Sequence, residues 1–321
     1  MSLEIYNFSP EIPRDCALQL RVEGREISVF PTPAGRFAAF GLEGAARLEI
    51  EIPDLDSLPV VRPLSRGVVA QRVGENRFSL EINGPGAFYL EGLPGGDLMI
   101  FANPLETQKP SPDDPNVRFF AAGRVYDADE IRLESGQTAY FEGGAWVNGW
   151  VRSHGARDVK IAGFGVLSGQ NYPMQSRRLL VFDGCKNVRI SDFISVGTPA
   201  WNLVLGACED VEIENVKLIG WWCSSDGIDI CGSENVRISG SFFRNNDDCI
   251  AVKAIDFTRT KQGAHGYAPD QIEFSWAKNT RNVRVERCVF YNATAGNALE
   301  IGFETRCERI SDVVFCDCDI I

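Results

Sequence analysis

Long apolar runs are missing from this 321-residue chain. No stretch approaches the length needed to cross a bilayer, which excludes a helical membrane span. Positive charge is in short supply. Asp and Glu number 44 against 32 Lys and Arg, and the net charge of −12 argues against a nucleic-acid or membrane-surface partner. The opening residues MSLEIYNFSP have neither the basic region nor the apolar stretch of a secretory leader. Residence in the cytoplasm, or export with a leader already removed, are the alternatives left. The ten cysteines lack the spacing of a zinc site or of a compact disulfide framework. Cys185 and Cys208 hold the same place in two successive repeats, so buried, reduced side chains are expected there. Cys316 and Cys318 put two thiols on one face of a strand, which leaves metal binding there open; no motif demands a cofactor.

What is present is the punctuation of many short strands. Over residues 1–102, EISVFPTP, ARLEIEIP, GVVAQRV, RFSLEING, AFYLEG and DLMIFANP alternate with Gly, Pro, Asn and Asp turns. This predicts a small antiparallel β-sandwich. The segment 103–117, NPLETQKPSPDDPNV, is rich in proline and acid and reads as a linker. From 118 to 321 one phrase recurs: Asn or Asp, then Val, any residue, and an apolar β-former. Its valines are Val159, Val188, Val211, Val236, Val283 and Val313, spaced by 29, 23, 25, 47 and 30 residues. A short-strand unit of about two dozen residues predicts an all-β chain built on a parallel β-helix. The longest interval reads as one coil plus an insertion around DFTRTKQGAHGYAPDQIEFSWAK.

Aligning the coils gives two columns expected to point inward, because residues two apart share a strand face. One is Leu180, Leu203, Ile228, Ile250 and Leu299; the other is Phe182, Leu205, Ile230, Val252 and Ile301. The same register stacks Asp226 on Asp248, with Asp247 beside them and Asn297 one coil further on. Asn245, Asn246, Asp247 and Asp248 also suit a plain polar turn. Asp226 in the same column tips the reading toward a reaction centre, because stacked like charges are destabilising. Three neighbouring carboxylates allow one acid to stay protonated and donate while others polarise a water, the division of labour in glycosidic cleavage.

The stretches TPAWNLVLGACEDVEIENV, SSDGIDICGSENVRI and NNDDCIAVKA occur in that order, with 21 residues from Asp226 to Asp247. With them the chain from about Arg118 onward resembles the polygalacturonase family of glycoside hydrolases, family 28. The dextran-cleaving family 49 is a related possibility, with an N-terminal β-sandwich. The resemblance implies a right-handed β-helix, Asp247 as general acid, Asp226 and Asp248 holding and activating water, and hydrolysis with inversion. The family's Gly-His-Gly motif aligns with AGNALEIGFE, so Gly296 stands at its histidine. Its carboxylate-binding Arg-x-Lys pair would fall beyond Ile321. A β-helix stopping at CDCDII would leave an open edge. The chain therefore reads as a piece of a longer protein, and whether the piece is active stays open.

Further residues are candidates for holding a sugar. Lys253 and Glu300 have outward parity, and Glu304 and Asn297 lie on the last full coil. An acid at Glu300 favours a neutral sugar over a uronate. Trp201 stacks below Asp226, and Trp221 and Trp222 precede it, so one of them is a candidate sugar platform against a core role for the others. GVLSGQNYP, in a loop between early coils, is placed to border the cleft. His265 lies in the insertion, placed either over the cleft or on an exposed loop. The expected partner is a poly- or oligosaccharide, with hydrolysis as the leading reading. A β-helix that binds carbohydrate without turnover is the alternative, and a polysaccharide lyase ranks below both because no basic cluster flanks the acids.

Overall fold

A computed structural model describes residues 1–256 and 274–321. The insertion centred on His265 therefore lies outside the described residues. No helix among them is long and apolar enough to cross a membrane.

The first hundred residues form two sheets, of six and five strands, packed face to face. Alternating residues such as Leu20, Val22, Phe40, Leu48, Ile50, Phe78, Leu80 and Ile100 meet between them. All six strand-like stretches supply at least one strand. The sheets are antiparallel except for one pair: Leu98–Asn103 runs parallel to Gly35–Glu43. The hairpin of Gly86–Glu91 with Leu98–Asn103 lays its second arm beside that long strand, which sets the direction. No strand lies between Asn103 and Val117.

The rest winds as a parallel β-helix. Strand Trp146–His154 spans a corner: its first part pairs with Val166–Ser168 and its second with Leu180–Asp183. Two stacks grow from it, and a separate eight-stranded stack carries the recurring phrase. The six valines pair in sequence, Val159 to Val188, Val211, Val236, Val283 and Val313. The residue before each valine explains the phrase. Asp158, Asn187, Asp210, Asn235, Asn282 and Asp312 all turn at positive φ, between 54° and 58°. Asn and Asp enter that region more readily than other side chains. Their side chains also bond rung to rung, Asn235 Nδ2 to Asp210 Oδ1 at 2.9 Å and Asn282 Nδ2 to Asn235 Oδ1 at 2.8 Å.

Both inward columns pair as their spacing implies. Most members are fully buried in one core, with Cys185 and Cys208 among them. Ile301 differs: it is 56% exposed because its strand forms the edge of the sheet. The sandwich docks on the helix through aromatic contacts, including Phe101 with Phe242 at 5.3 Å and Tyr89 with Tyr291 at 4.3 Å.

Candidate active site

The acids stand where the chain turns into strands Ile228–Cys231 and Ile250–Ala254. Backbone bonds keep the rungs aligned ahead of those strands. Asn202 N donates to Asp226 O at 2.9 Å, Gly227 N to Asp248 O at 2.7 Å, and Cys249 N to Asn297 O at 2.9 Å. Asp226 and Asp248 thus sit on adjacent rungs. One carboxylate oxygen from each of Asp226, Asp247 and Asp248 lies within 4.8 Å of the others. The turn-forming residues keep their own work. Asn245 Nδ2 donates to Ser225 O at 2.7 Å, and the Asn246 amide holds Trp221 O.

The three carboxylates differ in surroundings. Asp226 is 2% exposed, and its Oδ1 has no hydrogen-bond partner among the described residues. Burial pushes its pKa well above the ordinary range, the charge of Asp229 adds to this, and Lys253 opposes it. Asp248 is pushed up to about 7, chiefly by burial; the Asn297 N–H works against the shift and the Glu300 charge with it. Asp247 is the least buried of the three. Its Oδ2 accepts from Ser224 N at 2.6 Å and its Oδ1 from Asp248 N at 3.0 Å.

Gly296 closes the group from the next coil. At φ +67°, a Cβ there would stand 2.5 Å from Asp247 Oδ1 and 2.7 Å from Asp248 Oδ1. Any side chain at this position, a histidine included, would have to displace the aspartates and the Asp248 backbone.

Two of the sugar-holding expectations are corrected. Lys253 has outward parity, yet it is 3% exposed. Its Nζ lies 2.9 Å from Asp229 Oδ1, 3.1 Å from Asp226 Oδ2 and 3.5 Å from Glu304 Oε2. Burial disfavours its charge, but Asp229, Asp226 and Glu304 together hold its pKa above the ordinary value. This lysine is a buried counter-ion rather than a groove-facing donor. Trp201 is also buried, with Lys253 Nζ 4.4 Å and the Arg178 guanidinium 4.6 Å from its ring centre. It supports the lysine and offers no open face to a sugar.

The remaining candidates lie nearer solvent. Trp221 and Trp222 are 39% and 40% exposed on the loop that delivers Asp226. Asn297 donates its backbone N–H to Asp248 Oδ1 at 2.7 Å and its side-chain amide to Glu300. Glu304 is partly buried beside Lys253. His265 falls outside the described residues.

Asp229 was absent from the candidates, although its register shows it. It pairs with Ala251, which pairs with Glu300, so all three share the outward column. Fully buried, it has a pKa raised by that burial against the pull of Lys253. Trp276, also fully buried, left no signal. It comes from beyond the insertion, lies over Gly206 where a Cβ would be 1.9 Å from its Cε2, and donates to Asp183 Oδ1 at 2.5 Å. Three carboxylate oxygens at this spacing also suit a hard cation, though the Lys253 ammonium already balances the buried side of the group.

Known proteins resemble this chain in parts. A polygalacturonase of Juniperus ashei is 28% identical over 143 residues, covering 38% of this chain and 28% of that protein. Rhamnogalacturonase A of Aspergillus niger is 31% identical over 94 residues, covering 29% of this chain and 21% of that one. The chain spans less than half the length of these curated relatives. Dex49A from Penicillium minioluteum shares the fold, with a TM-score of 0.58 over 92% of this chain and 77% of that one at 14% identity. The profile of glycosyl hydrolases family 28 matches residues 131–319, more than half of the sequence, and the chain belongs to that family.

Proposed function

We propose that this protein is a glycoside hydrolase acting on a pectic or related glycan by a single-displacement, inverting mechanism. The observation that carries the proposal is the convergence of the Asp226, Asp247 and Asp248 carboxylates within 4.8 Å on adjacent rungs. Like charges this close titrate as a unit, so the group retains a proton that isolated carboxylates would lose. Burial holds that proton on Asp226 and Asp248, and Asp247, the most accessible of the three, passes it to the leaving oxygen. Asp226 and Asp248 hold and polarise the water. The accessible Trp221 and Trp222 rings offer apolar faces to a sugar beside the acids.

Hydrolysis is favoured over β-elimination because Lys253, the base beside the acids, is buried and ion-paired. A module that binds glycans without turnover is favoured by one observation, the glycine at the position of the family's histidine. Reducing-sugar release from pectic, dextran and pullulan-type substrates separates the two readings. Asp247→Asn is expected to lower turnover by about 10²- to 10⁴-fold, the usual weight of a general acid. Unchanged turnover in that variant refutes the assignment. Proton NMR of the first product anomer tests inversion.

A further inference from the structure

Three coils below the aspartates the same edge of the helix carries a second constellation. Arg177 precedes strand Leu180–Asp183 by the same three positions that Asp247 precedes Ile250–Ala254. The pairings Leu180 to Leu203, Ile228 and Ile250 place Arg177 in the Asp247 column. Three rungs amount to ~14 Å, a span of a few sugar units.

The Arg177 guanidinium carbon lies 3.9 Å from the centre of the Trp150 ring and 4.2 Å from that of Tyr172. The two rings meet edge to face, 88° apart at 5.2 Å, so the cation sits in the corner between them. All three side chains are half-buried, with solvent on one side. Arg177 Nε reaches Ser176 Oγ at 3.5 Å, a long contact. Its terminal nitrogens carry no hydrogen bond or ion pair among the described residues. Neither nearby acid pairs with the guanidinium: Asp129 Oδ1 accepts from the Tyr172 hydroxyl at 3.4 Å, and Asp127 Oδ1 from Asn148 Nδ2 at 2.8 Å. A planar fork held by stacking, with its outer donors free, matches a carboxylate bidentately.

We propose that Trp150, Tyr172 and Arg177 form a distal subsite that grips the carboxylate of a uronate unit in the glycan. The proposal rests on the hydrolase reading and deepens it. Charge on the substrate is read away from the cleavage point, where Glu300 and the aspartates repel a carboxylate.

Equilibrium titration of the full chain carrying Asp247→Asn, with oligogalacturonides and their carboxyl-reduced counterparts, tests this. The acidic ligand is expected to bind about tenfold or more tightly, as a charge-assisted pair implies, and to weaken with added NaCl. Arg177→Gln is expected to erase the preference, and Arg177→Lys to restore only part of it, since an ammonium lacks the fork. Both changes fall on a half-exposed side chain, and an unchanged Tm confirms that folding is intact. Equal affinity for the two ligands, or a preference that survives Arg177→Gln, overturns the subsite. The hydrolase reading stands or falls separately, on turnover by the unsubstituted chain.

Discussion

On the face that carries the valine phrases, charges of opposite sign stack across rungs in open water. Lys186 meets Glu209 at 2.7 Å and Arg189 meets Glu212 at 2.5 Å. On the face that carries the aspartates, charges of one sign gather and are buried, with Lys253 as their counter-ion. The backbone is the same parallel ladder in both places. Exposed opposite pairs contribute little and are easily exchanged. Buried like charges oppose folding, and they persist only because packed apolar columns on the other side of the strand hold the rungs in register. Several carboxylates buried together carry a cost that single buried charges with partners do not, which is why this cluster is the candidate site.

The sharpest way to break this comparison is to disturb the fit around the acids. Gly296→Ala forces a methyl against Asp247 and Asp248 at positive φ. The expected cost is about 1–3 kcal/mol of overpacking, with turnover reduced beyond what the lowered Tm explains. Wild-type Tm and activity in this variant would mean that the acids are loosely held.

The two faces should also answer pH in opposite senses. Asp248 has a folded pKa raised to about 7, so its protonated form favours the native state. Its contribution is present below the unfolded value of about 4 and is lost as pH rises toward about 7. Asp248→Asn is expected to flatten the stability profile across that window in urea titrations. Glu286 is the reverse case. Hydrogen bonds from Arg237, Arg284 and Arg287 lower its pKa to about 2. Its contribution is present above the unfolded value of about 4.3 and is lost as pH falls through about 2. Glu286→Gln should flatten the acid side of the melting profile and leave the neutral side unchanged. The smallest effect is expected at Arg189→Gln, less than about 1 kcal/mol and vanishing in high salt. A larger loss there would erase the distinction between the faces.

The recurring Asn-Val phrase made the rungs readable, because each phrase needs a left-handed corner and an inward valine in the same order. The Asp226 and Asp248 column followed from that register, since one rung sets the next. Parity also put Lys253 on the outward side correctly, but outward did not mean exposed. Trp201 from a lower rung and Trp276 from beyond the insertion line the same outer face with Val181, Val204 and Cys231. The space Gly296 leaves was equally hidden, because it depends on where the aspartate side chains turn.

Periodicity, read along the chain, determined the winding, the strand faces and the meeting of three acids from neighbouring rungs. Those are local and repeating properties, dictated by side-chain alternation and by residues that tolerate positive φ. Which of those acids keeps a proton, and that Lys253 answers two buried carboxylates, was decided only in three dimensions. Desolvation depends on what covers a group, and the covering residues come from segments that no repeat connects.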